Sequence, residues 1–147
     1  MSADTDETIR ASLDTVLDVF CDRHPRGFIA LTELSRPDFW FRDPLVEIHG
    51  FKSYKAFLRE SSAHRVETRW TVLGAAVSQL SGYVRWHYAA TYKDGASLAF
   101  DGMTEFGFDG DGRLAFQIDF WDAAEVLAVI EPKLRDQLAV VKKTVHL

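Results

Sequence analysis

Apolar residues follow two rhythms along this chain. Ile9, Leu13, Val16, Leu17 and Phe20 fall on one helical stripe behind Asp4 and Glu7, which have capping-box spacing, so the pattern predicts an amphipathic helix to about Asp22. His24-Pro25-Arg26-Gly27 breaks it, and Phe28, Leu31 and Leu34 predict a short second helix ending near Pro37. Phe39 and Phe41 alternate with Trp40 and Arg42 in a short strand that Pro44 stops, and Val46 and Ile48 extend a hairpin to Gly50. Phe51, Tyr54, Phe57 and Leu58 mark a third helix to about His64. From Val66 the period changes to two. Strand character runs to Tyr92 in two pieces separated at Gln79 to Gly82, with Gly74-Ala75-Ala76 marking a bulge or strong bend. Beyond Trp121, Asp122 and Glu125 form another capping box for a helix carrying Val126, Leu127 and Ile130, and Leu134, Leu138 and Val141 continue past Pro132 as a terminal helix.

The strongest local signal is Leu98 to Trp121, two alternating runs joined by Asp109-Gly110-Asp111-Gly112. Gly and Asp supply the positive φ and side-chain bonds of a tight turn, which predicts a long antiparallel hairpin. A four-residue loop pairs Phe108 with Arg113, Thr104 with Gln117, Gly102 with Asp119 and Phe100 with Trp121. A two-residue Asp94-Gly95 turn adds the preceding strand, setting His87 beside Gly102 and Arg85 beside Thr104. One row then reads His87, Gly102, Asp119 and the next Arg85, Thr104, Gln117. Strands lie ~4.8 Å apart, so His87 and Asp119 are expected about 10 Å apart with only a glycine between them. The other face collects Val84, Trp86, Tyr88, Met103, Phe116, Ile118 and Phe120. That row is too apolar to leave in water, and it predicts a homodimer through the outer sheet face. A one-residue slip in either loop would swap the faces.

Segregation of helices from a run of long antiparallel strands predicts an α+β chain: a strongly curved antiparallel sheet, wrapped by three or four helices into a cone around a cavity. At 147 residues a single domain spanning 1–147 is expected, with 47% apolar and 27% charged residues, an ordinary soluble balance. A net charge of −5 without a basic cluster argues against nucleic acid and anionic membranes. The acidic N-terminus lacks a signal-peptide core, and no apolar run is long enough to span a membrane. Cys21 is alone, so a cytoplasmic setting is expected. His24, His49, His64 and His146 are scattered without ligand spacing, and the Asp109 to Gly112 run would place Phe120 where a calcium loop needs Glu. No metal and no cofactor are therefore expected.

The segments FRDPLVEIHG (Phe41 to Gly50) and DGRLAFQIDFWDAAE (Asp111 to Glu125) resemble the nuclear transport factor 2-like superfamily, in its SnoaL-like and ketosteroid-isomerase-like branch. The resemblance follows the element order of essentially the whole chain. Compared with ketosteroid isomerases, Asp43 falls at the position of the catalytic base. The tyrosine of that family's first helix is missing, because the chain has no Tyr before Tyr54, and Thr104 stands where its protonated aspartate would be. SnoaL-like cyclases are similar through a last-strand aspartate with a histidine nearby, roles that Asp119 and His87 would take. Limonene epoxide hydrolases resemble the chain through an Arg-x-acid pair, for which Arg85-x-His87 offers histidine instead.

An inward acid flanked by Ile118 and Phe120 is costly unless paired or catalytic, which singles out Asp119. His87 has the alternative of a satisfied core histidine, and Asp43 that of a turn cap at Pro44. The expected function is cofactor-free proton transfer, of isomerase or cyclase type, on a small hydrophobic carbonyl compound. Asp119, His87 and Asp43 are its catalytic candidates, with Arg85, Thr104, Gln117, Trp121 and Phe100 around the ligand. The alternative is a domain that only binds a small ligand or serves as a dimeric scaffold.

Overall fold

A computed structural model describes residues 2–145; His146 lies outside the described residues. Five helices and six strands are described, in the order α1 (Ala3–Phe20), α2 (Phe28–Leu34), β1 (Ser35–Arg42), β2 (Glu47–His49), α3 (Phe51–Ser62), β3 (Arg65–Ser78), β4 (Ser81–Tyr92), β5 (Ser97–Phe108), β6 (Leu114–Phe120), α4 (Ala123–Ile130) and α5 (Pro132–Val145). The expected α+β cone is present. The strands form one sheet in the order β2-β1-β6-β5-β4-β3. Every neighbouring pair is antiparallel except β1 and β6, which run parallel, so the sheet is mixed rather than purely antiparallel. The exception follows from connectivity: the chain leaves β1 through β2 and α3, builds the β3–β4–β5 meander, and returns β6 to the free edge of β1.

Local chemistry sets several boundaries. The first cap of α1 is Ser2, whose Oγ accepts the Thr5 N–H at 3.3 Å, rather than Asp4. Asp122 caps α4 as its spacing predicts, accepting the Glu125 N–H at 3.0 Å. Pro37 does not end a helix; it lies inside β1, where pairing with β6 is interrupted between Ser35 and Trp40 because proline has no N–H to donate. Helix α1 lays Ile9, Leu13 and Val16 against β3 and β4, each such side chain contributing about 1.5–3 kcal/mol by burial. Ser12 Oγ donates to the Gly112 carbonyl at 2.6 Å, tying this helix to the β5–β6 turn. Gly112 has φ +78, and a Cβ there would lie 2.7 Å from Thr8 Cγ2, so both conformation and space require glycine.

The two hairpin registers differ from expectation in different ways. Phe108 pairs with Leu114 rather than Arg113, and a shift between Gly107 and Phe108 then sets Thr104 opposite Asp119 rather than Gln117. The net slip at the site is two residues, which preserves side-chain parity, so Thr104, Gln117 and Asp119 keep their expected face. At the β4–β5 turn the Tyr92 N–H donates to the Ala96 carbonyl at 2.9 Å and Gly95 has φ +88, closing a loop one residue longer than a two-residue turn. Trp86 therefore pairs with Gly102, and His87 with Asp101. This one-residue slip swaps the faces of β4: Val84, Trp86 and Tyr88 are buried inside, while Arg85 is exposed on the outer face and His87 joins it. Gly102 is not a gap between two polar groups. A Cβ there would fall 2.4 Å from Trp86 Cη2, so glycine makes room for the indole.

The outer face is correspondingly less apolar than expected. It keeps Met103 and Phe120, both about half exposed, with half-buried Phe116 and Ile118, but not Trp86 or Tyr88.

Candidate functional site

The concave face of the sheet and the helices around it enclose a cavity of about 720 Å³. Aromatic rings make much of its wall: Phe41 packs on Tyr54 at 5.1 Å between centroids, Trp70 on Trp86 at 4.4 Å, and Phe100 on Trp121 at 5.5 Å. Val126, Leu127 and Ile130 of α4 close one side, and Phe28 and Ile29 of α2 another. Phe100 and Trp121 both line the cavity.

Asp119 is on the cavity floor, held by a chain of hydrogen bonds whose directions are forced. An indole N–H can only donate, so Trp86 Nε1 donates to Thr104 Oγ1 at 2.8 Å, which leaves the Thr104 hydroxyl proton for Asp119 Oδ1 at 2.7 Å. On the other side the Tyr54 hydroxyl donates to Gln117 Oε1 at 2.8 Å, which turns Gln117 Nε2 onto the same Asp119 Oδ1 at 3.0 Å. Tyr54, Trp86, Thr104 and Gln117 are all buried. Oδ1 therefore carries two donors, while Oδ2 makes no hydrogen bond among the described residues and is not sealed from solvent. The remaining accessible surface of Asp119 opens on the cavity, and the protein around it excludes enough water to matter.

That exclusion decides the electrostatics. Burial pushes the Asp119 carboxyl from the usual 3.8 up to about 6, against the lowering effect of the Gln117 and Thr104 hydrogen bonds and with a further upward push from the charge of Asp43. A lone pair on Oδ2 with a pKa near neutrality is what a general base requires. Burial also drives the Tyr54 phenol well above its ordinary range, with the Asp119 charge adding to it, so Tyr54 stays a neutral donor.

The other candidates are dispersed. Asp43 lines the cavity but its Oδ1 accepts the N–H groups of Leu45 and Val46 at 2.7 and 2.8 Å, forming the turn cap at Pro44. His87 is outside the cavity, its Nδ1 2.6 Å from Asp101 Oδ1 on the outer face, and exposed Arg85 is outside it as well. Sequence reasoning missed Tyr54 and Trp86, the outer links of the hydrogen-bond chain. It also missed Arg65 and Tyr88, which line the far end of the same cavity, the Arg65 guanidinium lying 5.7 Å from the Tyr88 ring centroid. A shift in the β3–β4 pairing between Arg65 and Glu67 turns Arg65 inward beside Thr68 and Trp70 and leaves Val66 70% exposed. Among the described residues no group of three or more His, Cys, Asp and Glu could hold a metal ion, and no helix is long and apolar enough to cross a membrane.

A curved sheet closed by helices over an acid-floored cavity is the nuclear transport factor 2-like fold. Residues 16–117 match the SnoaL-like domain, and the chain belongs to that family. No curated protein matches the sequence significantly. The fold is similar to that of a putative SnoaL-like polyketide cyclase from Jannaschia sp. CCS1, at 15% identity over 88% of this chain and 96% of that one, with a TM-score of 0.74. It is similar also to a limonene-epoxide-hydrolase-like epoxide hydrolase from M. tuberculosis, at 19% identity over 94% and 97%, TM-score 0.68. A third similar structure is TerC co-crystallised with polyporic acid, at 15% identity over 81% and 97%, TM-score 0.68.

Proposed function

We propose that the chain, acting as one SnoaL-like domain over 1–147, is a cofactor-free enzyme in which Asp119 moves a proton on a small hydrophobic carbonyl compound. The observation that carries this reading is the Asp119 carboxyl itself, raised to about 6, with Oδ1 saturated by Thr104 and Gln117 and Oδ2 left for the cavity. Oδ2 takes a proton from carbon beside the carbonyl and returns it after rearrangement or ring closure, as a base of near-neutral pKa can do in both directions. Thr104 acts as a positioning residue, its hydroxyl proton spent on Asp119, and Gln117 likewise commits one N–H to Asp119 while keeping the second. A substrate that delocalises its own negative charge, as a polyketide-like 1,3-dicarbonyl does, suits such a site best. The polyketide cyclase and the complex with polyporic acid among the similar structures agree with that substrate class. Asp43 modulates the base through its charge, and His87 and Arg85 take no part.

Beside Asp119 only the second N–H of Gln117 is uncommitted, and so weak a set of oxyanion donors favours one second reading, a domain that binds the same compounds without converting them. Exchange of the α-protons of 2-tetralone in D2O, followed by NMR, separates the two. Wild type accelerates exchange, with the rate rising through pH 6. Asp119→Asn loses roughly 10² to 10⁴ of it with the affinity nearly unchanged, and His87→Ala retains it. Binding of apolar ketones with no exchange above buffer would favour the binding domain. A homodimer through Met103, Phe116, Ile118 and Phe120 of the outer face, and a cytoplasmic setting that suits the single Cys21, complete the proposal.

A further inference from the structure

The far end of the cavity carries polar groups that the proton-transfer reading does not use. Tyr88 is 6% exposed, yet its hydroxyl has no hydrogen-bond partner, and the same is true of the sealed Nε of Arg65, whose guanidinium lies over the Tyr88 ring. Buried donors left unpaired are costly, so a ligand acceptor that reaches them is favoured beyond its own contacts. Lys55 and Arg59, one turn apart on α3, line the same cavity. Among the described residues none of Lys55, Arg59 and Arg65 has a carboxylate within 4.0 Å, although the chain as a whole carries a charge of −5. Unpaired cations gathered at one cavity in an acidic chain concentrate anions there.

We propose that Arg65, assisted by the Tyr88 hydroxyl, anchors the carboxylate of an aromatic or polyketide-like acid whose apolar body lies along the cavity toward Asp119. The inference rests on reading this cavity as the substrate site. The accessible Nη groups of Arg65 present a planar fork that matches two carboxylate oxygens, and displacement of the guanidinium from the ring gives the ligand Nε and the Tyr88 hydroxyl as further donors. The opposite polarity at the other end fixes orientation, since Asp43 and Asp119 repel an anion from the floor. Tyr88 is four residues along β4 from Val84, which shares a row with Thr104 and Asp119. Four residues of strand and two strand spacings separate Tyr88, over whose ring the Arg65 guanidinium lies, from Asp119 by roughly 16 Å at the backbone. Side chains converging from both ends reduce that to about the length of a fused bicyclic acid.

Calorimetric titration at pH 8 with 2-naphthoate and its neutral isostere 2-naphthamide tests the assignment without reference to turnover. Wild type binds the carboxylate at least tenfold more tightly than the amide. Arg65→Met, which keeps the stem over Tyr88, brings the ratio to about one. Tyr88→Phe lowers it about threefold, and Arg65→Lys, which keeps charge but loses the fork, lowers it by a similar factor. Asp119→Asn leaves the preference intact even where it abolishes proton exchange, so failure of this anchor and failure of the base are told apart. Equal affinities in wild type would overturn the proposal, as would an undiminished ratio in Arg65→Met or, should that variant not fold, in Arg65→Lys.

Discussion

Replacing Asp119 by asparagine should stabilise the protein, and increasingly so as pH rises. Asparagine keeps the shape, and its Oδ1 can accept the same Thr104 and Gln117 bonds that hold the native side chain. What it removes is the cost of an ionised carboxylate in a site that disfavours one. With the carboxyl at about 6 in the folded chain against 3.8 ordinarily, the folded state holds this proton more tightly than the unfolded state does. The stability this group contributes is therefore fully present below about pH 4 and is lost as pH rises through about 6. At ~1.36 kcal/mol per unit the whole loss is about 3 kcal/mol, of which about 2 kcal/mol falls between pH 4.5 and pH 8. Urea denaturation of wild type and Asp119→Asn across that range cancels every other titrating group in the difference. The gap should widen by about 2 kcal/mol, or roughly 4–8 °C in Tm for a chain of this length. A gap independent of pH would refute the reasoning. A variant that became relatively weaker at high pH would show that the pocket favours the charged form.

Other substitutions probe how the floor is built. Thr104→Val removes the donor to Asp119 and strands the buried Trp86 Nε1, so it should cost about 1–3 kcal/mol by denaturation and move the pH midpoint of proton exchange upward. Gly102→Ala would force a methyl to within 2.4 Å of the Trp86 ring and 2.9 Å of the Phe120 carbonyl oxygen. Backbone cannot move aside as a flexible side chain can, so circular dichroism should show loss of folding or several °C in Tm.

How far the sequence reveals this molecule is decided at its turns. Alternation in β5 and β6 puts Thr104, Gln117 and Asp119 on the inner face of the sheet, as observed, because the β5–β6 shift leaves a slip of two residues, an even number, at the site. The same arithmetic sends His87 and Arg85 to the wrong face, because the turn at Asp94-Gly95 contains one residue more than the dipeptide signal implies. A glycine in the left-handed region serves a longer turn as well as a short one, and the sequence alone does not distinguish them. Arg65 was illegible for a related reason: the irregularity after it reverses alternation, and nothing in Arg65-Val66-Glu67 announces that. Tyr54 reads as one more apolar position of α3, and only the fold brings its hydroxyl to Gln117, 63 residues later. The helices were readable because their stripes repeat over several turns, so that one displaced residue does not change the face they bury.

The proposed chemistry depends on the protonation of one carboxyl, which can be observed without knowing the substrate. With 13C-labelled aspartate, the Asp119 Cγ resonance, identified by its absence in Asp119→Asn, should titrate with a midpoint near 6. A midpoint at or below 4 would mean that the hydrogen bonds from Thr104 and Gln117 outweigh burial, and would remove Asp119 as the base.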